Sequence, residues 1–315
     1  MVVNRGVVRV TGWRALTVGA LVAAVLMVGA VPASAVQPSG HGGHGGGAGG
    51  ASTGNDVSYP QCGGSLPTGQ AFGVVGVTGG LADTLNPCLG PDPSYSQSEL
   101  YWAVATSVGG TTQPVASLYV NSADPGNTYN GSVIADWPTS GSTPFGTCTT
   151  TTVSLNGTTA SVGANSEACA WQYGYDRAAQ DAQWLASAAS AIDAQGAPTV
   201  VSGSAGAYPW WLDVESANTW QSDTVMNAAD LQGMIAGLNA SGATTVGVYS
   251  TASQWDAITG GTTSASGSLV GVPEWVPGAR TASGAQGNCA QYSFTGGVVT
   301  LAQWSGHPFD GDVAC

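Results

Sequence analysis

Residues 207–215 read Ala-Tyr-Pro-Trp-Trp-Leu-Asp-Val-Glu, a short apolar run that ends on two carboxylates, Asp213 and Glu215, two positions apart. If the run is a β-strand, its period of two puts both acids on one face and Leu212 and Val214 on the other. Only 7% of the chain is charged, which makes a paired-acid face conspicuous. The polar Ser216-Ala217-Asn218 that follows suits the C-terminal mouth of a barrel, where reactive groups collect. The two Cα atoms on such a face lie roughly 6–7 Å apart, so the carboxyl tips can reach the separation glycosidases use. Like charges at that range do not both ionise cheaply, and one acid is expected to hold its proton beside an ionised partner. Trp210, Trp211, Trp220 and Tyr249 are candidate apolar walls and sugar-stacking faces. Alternation sends at least one of the adjacent tryptophans into ordinary packing instead.

The segments around this run alternate in type. Ala71 to Thr78 and Pro114 to Asn121 read as buried strands, with a helix around Ser96 to Thr106 between them. Ser122 to Glu167 is a long Gly, Thr and Ser-rich excursion over the barrel mouth. Ala168 to Tyr173 reads as a third strand, and Asp176 to Ala194 as a helix with Ala179, Ala182, Leu185, Ala186 and Ala189 at helical spacing. After the Trp210 to Glu215 strand come a helix from Ala228 to Leu238 and strands at Thr244 to Tyr249, Glu274 to Val276 and Val298 to Trp304. Strands alternating with helices over roughly 260 residues, from about Val57 to Cys315, predict one α/β domain, a TIM-like (β/α) barrel.

Ahead of it, residues 1–35 carry Arg5, Arg9 and Arg14, an apolar stretch from Ala15 to Val31, and the small-residue end Pro32-Ala33-Ser34-Ala35. This is the pattern of a secretory signal peptide, and it predicts an extracellular protein. Residues 36–56, centred on Gly42-Gly43-His44-Gly45-Gly46-Gly47, read as a flexible linker, with His41 and His44 as part of a polar tail. With residues 1–35 removed, Arg177 and Arg280 are the basic side chains left against 18 acids. That balance argues against nucleic acid and anionic lipid as partners and favours simple solubility. No later segment is apolar enough to span a bilayer.

Six cysteines in an exported chain predict disulfides. Fifteen pairings are possible. Clustering favours Cys62 with Cys88, Cys148 with Cys169 and Cys289 with Cys315, each loop worth roughly 3 kcal/mol in the chain-entropy model. No Cys/His spacing suggests a metal site, and no cofactor is expected.

The ordered set of segments resembles the glycoside hydrolase family 25 barrel of secreted bacterial and phage lysozymes. Asp213-Val214-Glu215 matches that family's D-x-E strand, Val246-Gly247-Val248-Tyr249-Ser250 its G-x-Y strand, and Pro273-Glu274-Trp275-Val276 its late L-W-x-A strand. Gln303-Trp304 and Phe309-Asp310-Gly311-Asp312 resemble its closing W-Q-Y and V-D-x-N elements. The segment from Thr78-Gly79-Gly80 to Asn86-Pro87-Cys88 is similar to an actinobacterial group of secreted, family-25-like proteins. The resemblance implies cleavage of the β-1,4 bond of peptidoglycan glycan. It makes Glu215 the general acid, Asp213 the stabiliser of developing positive charge, Asp310 the last-strand acid, and Tyr249 a cleft tyrosine. Trp304 joins Trp211 and Trp220 as a candidate sugar contact. The family's first strand ends in G-x-D-x-S. Aligned to Gly73–Thr78, this motif meets Gly76 at the position of the acid. Either an acid from the excursion, such as Asp136, then completes the site, or the barrel binds cell-wall glycan without turnover.

Other chemistries lack their residues. His307 is the one histidine after residue 56, and no G-x-S-x-G elbow accompanies it, which excludes a Ser/His hydrolase. No G-x-G-x-x-G follows a strand with the acidic partner that a dinucleotide fold requires.

Overall fold

The computed structural model describes residues 52–261, 269–290 and 293–315. Residues 1–35, read above as a signal peptide, and most of residues 36–56, read as a Gly/His linker, lie outside the described residues. In chain order the elements are β1 (Thr53–Val57), β2 (Gly73–Gly76), α1 (Glu99–Thr106) and β3 (Ala116–Asn121). Three small hairpins follow: β4 (Thr128–Tyr129) with β5 (Ser132–Val133), β6 (Gly141–Thr143) with β7 (Gly146–Cys148), and β8 (Thr150–Leu155) with β9 (Thr158–Gly163). Next come α2 (Glu167–Ala194), β10 (Trp210–Asp213), α3 (Thr224–Ala240), β11 (Val246–Tyr249) and α4 (Ala252–Thr259). The series closes with β12 (Glu274–Ala279), α5 (Ala282–Asn288), β13 (Val299–Trp304) and β14 (Gly311–Ala314).

Eight strands close a barrel in the order β1-β14-β13-β12-β11-β10-β3-β2. The expected α/β barrel is therefore present. β14 runs antiparallel to both of its neighbours, and the other pairs are parallel. No described helix is long and apolar enough to cross a membrane.

Strand alternation divides two cores. Val75, Leu118, Val120, Trp210, Leu212 and Val248 face outward and pack under the helices. Phe72, Val74, Trp211, Trp275 and Leu301 fill the barrel interior, with Tyr119 and Tyr249 packed on them. Gly247 makes room for this filling, since a Cβ there would collide with the Trp211 ring.

Three sequence expectations change. β1 places the start of the barrel at Thr53, inside the segment read as linker up to residue 56. Thr-Gly-Asn-Asp-Val lacks a continuous apolar run and follows a Gly-rich tract, so periodicity does not announce it. Ala168–Tyr173 is helix and not strand: it is the first part of α2, capped by Ser166, whose hydroxyl accepts from Cys169 N, with Glu167 in the first turn. Trp171 and Tyr175, one helical turn apart, stack at 5.3 Å. The 122–167 excursion consists of hairpins, two of them turning at Asn130-Gly131 and Asn156-Gly157 with positive φ at both residues, as type I′ turns require.

The three disulfides are Cys62–Cys88, Cys148–Cys169 and Cys289–Cys315, the nearest-neighbour set. The second ties the hairpin region to α2, where Trp137 stacks on Tyr173 at 5.2 Å.

Candidate active site

At the C-terminal end of the parallel strands, a cavity of about 180 Å³ is lined by Asp56, Tyr119, Asp213, Glu215, Tyr249, Trp275, Gln303 and Asp310. β10 ends at Asp213, so Glu215 stands just past the strand. The alternation nevertheless holds: Val214 is fully buried on the outer side, its N–H donating to Tyr249 O at 2.9 Å, and both acids reach the cavity. Asp310 and Tyr249 also line it.

Asp56 resolves the missing first-strand acid. Gly54-Asn55-Asp56-Val57-Ser58 carries the G-x-D-x-S pattern, on β1, and the alignment to Gly73–Thr78 is one strand too late. Gly76 does a different job on β2: a Cβ there would lie within 3 Å of Ser58 Cβ and Oγ and of the Tyr119 ring. Asp136, the alternative acid, is instead 2.8 Å from Arg177 Nη1 and outside this cavity.

Three of the four expected aromatic contacts sit elsewhere. Trp211 is 1% exposed and plugs the barrel beneath Asp213. Trp220 packs on the outer core and donates its Nε1–H to the Glu215 carbonyl at 2.8 Å, supporting the acid's backbone. Trp304 alternates with Gln303 and so faces outward, its ring against Gly311. The aromatic walls are Tyr119, Tyr249 and Trp275, with the Tyr249 and Trp275 ring centroids 4.5 Å apart. Trp275 and Tyr119 were legible only as strand residues, because nothing local distinguishes an aromatic that lines a cleft from one that fills a core.

Hydrogen bonds fix the acids. Asn121 Nδ2 donates to Asp213 Oδ2 at 2.7 Å, and Thr78 Oγ1 donates to Asn121 Oδ1 at 2.9 Å. Asp213 Oδ1 is buried without a protein partner. Burial, and then the charge of Glu215, pushes the Asp213 carboxyl well above the usual carboxylate range, against the opposing effect of the Asn218 and Asn121 bonds. Gln303 Nε2 donates to Asp56 Oδ2 at 3.0 Å, and Tyr249 Oη donates to Gln303 Oε1 at 2.9 Å. Burial raises Asp56 to about 6, with the Gln303 bond opposing the rise and the neighbouring Asp310 charge adding to it. Asp312, fully buried, rises well above the usual range for the same reason, and Trp275 Nε1 donates to its Oδ1 at 2.9 Å. Burial together with the surrounding carboxylates also raises the Tyr249 hydroxyl, which stays protonated and able to donate. Asp310 is held by Gly306 N, 2.8 Å from its Oδ1. Among the described residues no group of three or more His, Cys, Asp or Glu side chains is arranged to hold a metal ion.

A strand ending in an acid pair, inside a mouth ringed by carboxyls and aromatics, is where known proteins coincide with this chain. Residues 199–272, spanning β10 and β11, match the family model described as "Lysozyme-like protein 1". The resemblance is to family 25 lysozymes. Two curated proteins of Dictyostelium discoideum, "Probable GH family 25 lysozyme 4" and "Probable GH family 25 lysozyme 2", are 48% and 46% identical to the chain over 56 residues. The aligned part is 18% of this chain and 25% and 26% of theirs, so the chain spans about a quarter of the length of these relatives. Among solved structures, the bacterial lysozyme from Streptomyces coelicolor aligns with a TM-score of 0.44 at 16% identity, covering 84% of this chain and 92% of that one. The muramidase from Trichobolus zukalii aligns with a TM-score of 0.42 at 13% identity, covering 84% and 94%. The segment matched by the "Lysozyme-like protein 1" model includes Asp213, Glu215 and Tyr249, whereas Asp56, Gln303, Asp310 and Asp312 lie outside it.

Proposed function

We propose that the protein is an exported glycoside hydrolase that cuts the β-1,4 bond between N-acetylmuramic acid and N-acetylglucosamine in cell-wall peptidoglycan. The observation that carries this reading is the convergence of Glu215, Asp213, Asp56 and Asp310 on one cavity whose lining holds no cation. Glycoside cleavage passes through an oxocarbenium-like state, and a ring of carboxyls is the environment that stabilises it.

Glu215 protonates the leaving oxygen. Asp213, through the free Oδ1, orients the acetamido group of the substrate for attack on the sugar carbon. Water then opens the resulting intermediate. Burial keeps the Asp213 carboxyl well above the usual range in the free protein, and positive charge growing at the sugar favours its ionised form. Asp56 adds negative potential once it ionises, above a pH of about 6. Residues 1–35 as a signal peptide and three disulfides support an extracellular site of action. With an acid present on β1, the reason for favouring glycan binding without turnover falls away.

The test is release of reducing ends from purified peptidoglycan and from chitin-type oligomers. Peptidoglycan is expected to be cut, and Glu215→Gln to lower the rate by about 10³-fold. Undiminished release by the variant would remove Glu215 as the acid. Absence of release from any glycan, with retention on insoluble wall, would replace hydrolysis by binding.

A further inference from the structure

A second and larger cavity, about 420 Å³, lies beside the acids on the same barrel face. It opens between the β2–α1 loop, the loop and first hairpin after β3, and the loop after β10. Its inner edge is Ala217, Asn218 and Thr219, beginning two residues past Glu215, and Asn218 Nδ2 donates to the Asp213 carbonyl at 3.0 Å. On its other side the Tyr59 ring, three residues beyond Asp56, lies against Gly80. The cavity is therefore bordered by the segment that follows Glu215 and, through Gly80 and Tyr59, by the segment that follows Asp56.

The walls are mostly carbon. Leu81, Ala82, Pro125, Ile134 and Ala135 surround it, and Leu81 and Tyr129 are 62% and 45% exposed although large and apolar. Sugar rings present a hydroxyl on nearly every carbon and need polar partners, but the amide nearest the acids, Asn218, is already committed to Asp213. Two carboxylates border the cavity. Asp136 is answered by Arg177, whereas Asp83 has no ion-pair partner among the described residues.

Resting on the proposed reading of the acid site as one that cuts peptidoglycan, we propose that this cavity binds the peptide substituent of the glycan: a short chain of small apolar residues carrying a free ammonium group. Methyl-sized side chains fill the aliphatic walls. The ammonium pairs with Asp83. The peptide hangs from the sugar held at Asp213 and Glu215, so its capture aligns the scissile bond.

The experiment compares two substrates prepared from one peptidoglycan: strands with lysine-type stem peptides intact, and the same strands stripped of peptides by an amidase. Initial rates give kcat/KM on each for the wild type, Leu81→Ser and Asp83→Lys, both at exposed positions that fold does not depend on. The wild type is expected to favour stem-bearing strands by about tenfold or more, and both variants to bring that ratio toward one. Equal rates on the two substrates in the wild type would overturn the peptide site and leave peptidoglycan hydrolysis standing. A preference that survives both substitutions would overturn the assignment to this cavity. Cleavage of neither substrate would remove the hydrolase reading and this proposal with it.

Discussion

Asp56 on β1 and Asp312 on β14 are both buried inside the barrel, and the charge of Asp56 adds to burial in pushing Asp312 well above the usual carboxylate range. Two carboxyls so placed do not both ionise cheaply. Trp275 Nε1 donates to Asp312 Oδ1 at 2.9 Å, and Asp56, raised to about 6, is the member that ionises. Asp312→Asn keeps a neutral polar side chain beside Asp56 and is expected to keep activity within about threefold. Asp312→Leu leaves Asp56 in a more apolar pocket, and is expected to cost about 10²-fold while moving the acid limb of the pH–rate profile upward. Initial rates across pH for the two variants check this.

Stability is expected to fall as pH rises. Burial lifts Asp56 and Asp124 from 3.8 to about 6, Glu99 from 4.5 to about 7, and Asp181, Asp213, Asp230 and Asp312 well above 3.8. For groups raised on folding, the native state binds the extra protons, so their contribution is fully present below the unfolded value and is lost as pH climbs through the folded one. Thermal melts are expected to show Tm lower at pH 7.5 than at pH 4.5 by on the order of 5–10 °C. Asp230→Asn, which removes one of these protons from the balance, is expected to flatten the slope. A Tm that rises over this interval would contradict the argument.

Gly76 offers a direct contrast between sequence and structure. Restoring an acid there, as the first alignment suggests, would drive a side chain into Ser58 and Tyr119. Gly76→Asp is expected to lower Tm by several degrees and to abolish activity, whereas Asp56→Ala is expected to preserve folding and lower activity by about 10²-fold. Circular dichroism melts paired with the reducing-end assay separate the two.

The same contrast shows what was readable from sequence. β2, β3, β10, β11, β12 and β13 announce themselves because both faces of a parallel barrel strand are buried, which leaves apolar runs. β1 and β14 do not: Asn55-Asp56 and Gly311-Asp312 put the acids of the site where apolar residues would otherwise mark a strand. The site thus hides the strands that build it. Asn130-Gly131 and Asn156-Gly157 carry a hairpin signal, Asn-Gly flanked by β-formers, that reading 122–167 as an excursion passes over. Trp211, Trp220 and Trp304 could not be sorted from Trp275 without the direction each takes from its strand.

The Cys62–Cys88 bridge closes a 26-residue separation between the segment after β1 and the β2–α1 loop. Its removal by Cys62→Ala with Cys88→Ala is expected to cost about 3 kcal/mol in denaturant melts. It also loosens Tyr59 from Gly80, so KM for intact peptidoglycan is expected to rise more than kcat falls. A change confined to Tm would sever the bridge from the site.

The antiparallel seat of β14 between β1 and β13 has a consequence in time. β1 waits with one edge unpaired while more than 250 residues of chain are added. A chain made N-terminus first reaches that strand after every other stave of the barrel. Asp312 arrives with it, so the interior of the barrel holds its full set of buried acids only once the last strand is seated.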